Sequence, residues 1–248
     1  MKRQLYNRKY YQSIEPGSSA SASEVISVIQ SFISPASVVD IGCGTGAWLA
    51  EWKKKGATEI HGIDGKHIRP EQLLIDMENF QIADLEKMIY PSRKFDLVTS
   101  LEVAEHISPD SAVNFIHSIC QFGEVVLFSA AIPGQGGVNH INEQYPDYWI
   151  EIFKNENFSP YDFIREKIWF NKKIDACYRQ NLLFFVKNEA KEKYPSITMH
   201  ERTVLPLVHP EHFEKKEEML LSYKKVLRTP FHTGWHFIKI FIRFLKHK

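Results

Sequence analysis

Glu102-Val103-Ala104-Glu105-His106 places two carboxylates and an imidazole in one short stretch. In a helical turn Glu102, Glu105 and His106 stand at i, i+3 and i+4 and share a face. Further along, the glycine-rich polar run from Gly134 to Gln144 contains His140, and a loop of this kind can carry that ring to the same spot. Two carboxylates and two imidazoles form a donor set for a divalent ion. The nitrogens suit Mn, Fe or Zn, and Mg fits where water fills the remaining positions. Without an ion, His140 is a candidate general base. A plainer reading stays open: the glutamates favour a first helical turn through the helix dipole, His106 bonds locally, and the group only shapes a pocket.

The second chemical feature is Val38-Val-Asp-Ile-Gly-Cys-Gly-Thr-Gly46. Gly42, Gly44 and Gly46 stand where a strand turns sharply into a helix. Lacking Cβ atoms, they admit positive φ and close approach of a ligand. A dinucleotide site wants G-x-G-x-x-G with pyrophosphate at the helix N-terminus. Here Asp40 precedes the first glycine, which disfavours a pyrophosphate and suits a ligand with a cationic amino group. Cys43 inside the loop reads as a small packing residue, since no histidine pairs with it in sequence.

These residues need elements to position them. Ser21-Ala-Ser-Glu24 has capping-box spacing before Val25, Ile26, Ile29, Phe32 and Ile33, which predicts a first helix stopped by Pro35. Residues 1–20 read as a polar, Tyr-, Gly- and Ser-bearing lid. Strands are expected at 37–41, 58–63, 80–83, 95–100 and 124–129. Helices are expected at 48–55, 71–77 and 111–120, and closing strands at 158–164 and 181–186. Such alternation indicates an α/β, Rossmann-like, doubly wound and mostly parallel sheet of seven strands. The expected division is a lid and first helix over 1–35, a cofactor-binding domain over 36–190, and a helical extension over 191–248. The extension ends in a basic amphipathic segment, 235–248, that either lies on an anionic membrane surface or packs on protein. Tyr178-Arg179-Gln180-Asn181, at the start of the last strand, is expected away from the site.

The glycine motif resembles motif I of the class I S-adenosylmethionine-dependent methyltransferases, and the order of further signals over about residues 20–190 agrees. The resemblance implies that Asp64, ending the second strand, binds the ribose hydroxyls. Asp84 and Leu85 would contact the adenine, and Leu101 would lie beside the sulfonium. Asp40, Gly42, Cys43, Gly44 and Gly46 complete the implied cofactor set. The E-x-x-E-H element with a later histidine resembles the metal site of small-RNA 3′-terminal ribose methyltransferases and of ubiquinone-pathway O-methyltransferases. It implies that Glu102, Glu105, His106 and His140 bind Mg, Mn or Zn, with His140, Glu105 and His106 as the catalytic group. The segment from His140 to Phe153 resembles bacterial methyltransferases found with glycan and natural-product assembly, where Tyr145, Tyr148 and Trp149 either face a sugar or simply join the core.

Composition bounds the function. The 248 residues are 44% hydrophobic and 13% aromatic, too much apolar surface for a disordered chain. The 31 basic against 30 acidic residues argue against a nucleic-acid footprint across the protein. Three scattered cysteines make neither a disulfide framework nor a four-cysteine zinc site. The start lacks an apolar signal region, and no run spans a bilayer, so a cytoplasmic enzyme is expected, at the inner membrane face if the basic tail binds lipid. The leading reading is an O-methyltransferase acting on a sugar, a lipid-linked glycan or a related small molecule. An RNA ribose methyltransferase and a non-catalytic cofactor-binding accessory protein are the alternatives, and the sequence leaves the oligomeric state open.

Overall fold

The computed structural model describes residues 8–228. Seven strands form one sheet: β1 (Ser37–Ile41), β2 (Glu59–Asp64), β3 (Phe80–Ile82), β4 (Leu97–Leu101), β5 (Val125–Ser129), β6 (Phe158–Tyr161) and β7 (Leu183–Lys187). Their order is β3-β2-β1-β4-β5-β7-β6. The first five are parallel, and β7 runs antiparallel between β5 and β6. This is the doubly wound sheet that the alternation predicts. Chain order reverses between β1 and β4, and ligands of such sheets bind beyond the strand carboxyl ends at that switch point.

The helices are α1 (Arg8–Ile29), α2 (Ala47–Lys54), α3 (Ala112–Gln121), α4 (Pro146–Asn155), α5 (Ile164–Ile168), α6 (Ala176–Asn181), α7 (Pro195–Thr198) and α8 (Pro210–Arg228). Helices cover both faces of the sheet, so β1, β4 and β5 are buried along their whole length and read as apolar runs. Alternate residues feed two cores. Val38, Leu97 and Leu127 face the core that holds Val25, Ile29, Trp48 and Trp52. Val39, Val98 and Phe128 face the one that holds Phe115, Ile119 and Phe153.

Several expectations are corrected. The first helix begins at Arg8, not at Ser21, and runs through Pro16. Gly17, inside this helix, serves contact: a Cβ there would lie 2.6 Å from the Asp175 carboxylate. Ser21 caps nothing and instead accepts the Asp175 N–H at 2.9 Å. The helix expected over 71–77 is two single 3₁₀ turns, Pro70–Gln72 and Met77–Asn79, since Pro70 sets the first and no apolar stripe follows. Tyr178–Asn181 belong to α6 rather than to the last strand. Trp149 is core, its ring 5.6 Å from that of Phe128. Among the described residues no helix is long and apolar enough to cross a membrane. The basic segment 235–248 lies outside the described residues.

Candidate active site

A cavity of about 1270 Å³ opens at the carboxyl ends of β1, β2 and β4. A single drug-sized ligand takes roughly 300–1,000 Å³, so a cofactor and a second molecule fit together. On one side lie Asp40, Gly42, Cys43 and Gly44, then Asp64, then Asp84 and Leu85, with Leu101 and Val103 as an apolar wall. All of the sequence-nominated cofactor residues except Gly46 line it. Gly46 caps α2 from outside the wall.

The three glycines hold φ of +88°, +56° and +84°, where a side chain is strained. At Gly42 a Cβ would also stand 2.4 Å from Val103 Cγ2, so the loop lies directly on the turn after β4. Asp40 is buried and accepts a 2.7 Å hydrogen bond from Thr99 Oγ1. Burial raises its pKa to about 7, with the Asp64 charge adding to the rise against that hydrogen bond. A cation beside Asp40 would relieve this cost. Asp64 Oδ2 accepts the Gly44 N–H at 2.7 Å, and Oδ1 accepts the Gly65 N–H at 2.5 Å. Burial raises the Asp64 pKa, while His67 and these amides oppose the rise. Burial also pushes the Cys43 thiol well up, in keeping with a packing role.

On the other side the chain gathers Glu105, His106 and His140. One donor atom from each lies within 4.8 Å of the others, and the two imidazoles meet edge to face at 4.8 Å. The backbone makes this meeting. The Glu105 carbonyl accepts the N–H groups of Ile141 and Asn142 at 2.9 and 3.0 Å, which folds the loop back onto the 3₁₀ turn Ala104–His106. Gly137 leaves room for the ring where it stands, because a Cβ there would lie 2.1 Å from His140 Nε2.

Each ring is oriented from behind. His140 Nδ1 donates to Glu143 Oε1 at 2.9 Å, and His106 Nδ1 donates to the Asn139 carbonyl at 3.1 Å. An oxygen partner at Nδ1 that fixes the ring is the usual arrangement behind histidine ligands. Against the upward push of burial, His140 and the amides of Gly134 and Gly136 hold the Glu143 carboxyl low. Glu105 is fully buried, and neither carboxylate oxygen has a hydrogen-bond partner among the described residues. Burial, then repulsion from Glu102, holds its carboxyl well above the usual range. A buried carboxyl beside two oriented imidazoles, with their donor atoms this close, fits a cation.

Glu102 departs from the expected helical face. Its φ is +55°, and its N–H bonds Ser129 O and Oγ at 3.0 and 3.1 Å. Its carboxylate turns to two amides, Asn181 Nδ2 at 3.0 Å and Gln135 Nε2 at 2.8 Å, so it stands outside the three-donor cluster. Asn181 thus backs Glu102 from behind the wall, and its neighbour Tyr178 lines the cavity, contrary to the expectation that 178–181 lie away from the site. Tyr11 from α1, Tyr178 from α6, and His212 and Lys215 from α8 also line the cavity. Nothing in their spacing predicts it, because the fold alone brings those helices over the strand ends. Tyr145, Tyr148 and Trp149 do not line it.

Comparison with known proteins agrees with this geometry. A family model described as a methyltransferase domain matches residues 19–164. A probable chloroplastic tocopherol O-methyltransferase of Oryza sativa subsp. japonica is 37% identical over 84 residues, 31% of this chain and 23% of the relative. A ubiquinone biosynthesis O-methyltransferase of Coxiella burnetii is 28% identical over 102 residues, 37% of this chain and 42% of the relative. The chain thus spans well under half the length of these curated relatives. DesVI of Streptomyces venezuelae superposes with a TM-score of 0.54 at 13% identity, covering 72% of this chain and 95% of that one. The magnesium protoporphyrin IX methyltransferase of Synechocystis PCC 6803 with bound SAH gives 0.52 at 19%, covering 75% and 92%. At these identities the likeness is one of fold. The chain belongs to the methyltransferase domain family, with the Rossmann-like fold of S-adenosylmethionine-dependent methyltransferases.

Proposed function

We propose that this protein moves a methyl group from S-adenosylmethionine to a hydroxyl of a sugar, a glycolipid or a related small molecule, with a divalent ion held by Glu105, His106 and His140. The observation that carries this reading is the convergence of those three donors on the cavity that Asp40 and Asp64 also line. Oxygen as the acceptor atom is supported by the curated relatives, which are named O-methyltransferases.

Bound, the cofactor supplies an electrophilic methyl group on a positive sulfur, and the ion supplies a charge that acidifies a hydroxyl. The chain does the rest. Asp64 offers carboxylate oxygens to the ribose hydroxyls, and Asp40 offers a negative charge to the amino group. Leu101 and Val103 wall off water beside the reacting carbon, which favours alignment of nucleophile, methyl group and leaving sulfur. Glu143 fixes the His140 ring through Nδ1. That geometry also favours a second reading, in which His140 Nε2 takes the hydroxyl proton itself and no ion is needed.

Labelled methyl from S-adenosylmethionine should pass to members of a panel of catechol, nucleoside and lipid-linked glycan acceptors, and the product label should survive alkali as an ether does. Label released by alkali would mean an ester and would overturn the hydroxyl assignment.

A further inference from the structure

The acceptor end of the cavity is closed by a segment that the family model does not reach. That model ends at residue 164, whereas α8 contributes His212 and Lys215 to the lining. The start of α8 is fixed by buried polar contacts. The His209 N–H donates to Gln180 Oε1 at 2.8 Å, Gln180 Nε2 donates to Gln135 Oε1 at 3.0 Å, and the buried Arg179 donates to Glu211 at 2.6 Å. Glu211, one turn before Lys215, is therefore spent on Arg179 rather than on the lysine. Upstream, Arg165 ties the strap to α5 through the Leu205 carbonyl at 2.9 Å. A loose tail would not hold side chains at a cavity wall, but this anchoring does.

Two features mark the chemistry of this wall. His212 Nε2 is shielded from solvent and has no hydrogen-bond partner among the described residues, and a buried polar group left unmatched is unfavourable. Lys215 brings a positive charge to the same lining, and Lys216 Nζ lies 3.7 Å from where a Cβ on the cavity residue Gly136 would stand.

We propose that His212 and Lys215 form a subsite for an oxyanion, a phosphate or a carboxylate, carried by the methyl acceptor. The proposal rests on the reading that this half of the cavity takes the acceptor. Lys215 supplies the charge, and His212 donates one hydrogen bond as its Nε2–H tautomer. Burial, then the charges of His209 and Lys215, lowers the His212 pKa to about 4, so at neutral pH the ring is an uncharged donor. Charge-assisted hydrogen bonds of this type are the stronger ones. The anchoring polar chain also joins the subsite to the reacting end, because Gln135 bonds Glu102.

The test titrates inorganic phosphate into chelator-treated protein saturated with S-adenosylhomocysteine, with acetate and benzoate as the carboxylate arm. Chelation removes any path through a metal, and the stronger of the two arms identifies the oxyanion. Saturable binding is expected in the wild type, weakened about tenfold or more by Lys215→Gln and by His212→Leu. His212→Gln should recover much of the loss by restoring an N–H donor. Absence of saturable phosphate and carboxylate binding in the wild type, or binding unmoved by Lys215→Gln, would overturn the subsite. The same samples report S-adenosylhomocysteine affinity. Loss of oxyanion binding with that affinity intact counts against the subsite alone, whereas failure of the cofactor to bind counts against the methyltransferase reading.

Discussion

Exchange of His140 for alanine, or of Glu105 for glutamine, should lower methyl transfer by about 10²–10⁴-fold, the usual contribution of a positioned proton-transfer group. Affinity for S-adenosylhomocysteine should stay within about twofold, because both residues follow β4 and β5 and belong to neither the glycine loop nor the Asp64 strand end. Folding should not suffer either. Glu105 is buried, and burial with the Glu102 charge holds its carboxyl well above the usual range, which favours the neutral acid that glutamine matches in size and charge. Glu105→Gln should therefore leave the melting temperature of the chelated protein about unchanged. The pattern expected of a catalytic group is loss of turnover, retained cofactor binding and no loss of stability, since active sites commonly trade stability for activity. Calorimetric cofactor binding, thermal melts and initial rates on the same samples check it. Near-normal turnover in either variant would remove that residue from the chemistry.

Affinity for S-adenosylhomocysteine should rise with pH up to about 7 and then level off. The cause is Asp40, whose burial lifts its pKa to about 7 from an unfolded value of about 3.9. The sign follows from proton counting. Between those two values the fold holds a proton that the unfolded chain releases, so this carboxyl's contribution to stability is fully present below about pH 4 and is lost as pH rises through 7. The ligand's amino group pairs with the ionised form and must displace that proton at lower pH. Binding should therefore weaken about tenfold per pH unit below 7, reaching about 30-fold between pH 8 and pH 5.5. Asp40→Asn should bind weakly and with a flat profile, which separates Asp40 from Asp64, whose carboxyl is also raised. An equal slope in wild type and Asp40→Asn would show that Asp40 does not meet the ammonium group.

The glycine loop and the strand ends were legible because local sequence dictates them. Gly42 needs positive φ and contact with Val103, and only glycine gives both. The meeting of His140 with Glu105 was legible because a glycine-rich loop after β5 is free to fold back on the turn after β4, where the Glu105 carbonyl then holds it. What failed was non-local. Asn181 looked like a strand start, yet two tertiary hydrogen bonds, to Glu102 and Gln135, place it directly behind the cavity wall. The first helix looked as if it began at Ser21, but it starts at Arg8 and carries Pro16 and Gly17 inside it, with Gly17 close against Asp175. Glu102 at i, i+3 spacing looked like a partner of Glu105, but a positive φ at Glu102 breaks the turn that this spacing assumes. Helical face arguments hold only where a helix forms, and here the chain makes a single 3₁₀ turn.

The most direct test strips the protein with chelator, saturates it with S-adenosylhomocysteine and titrates Mn, Zn and Mg calorimetrically beside His140→Ala. Binding near one equivalent per chain, lost or weakened about 10–100-fold in the variant, is the predicted result. No binding heat and no thermal stabilisation by any of the three ions, or equal binding by the variant, would contradict the metal site and leave His140, oriented by Glu143, as the base.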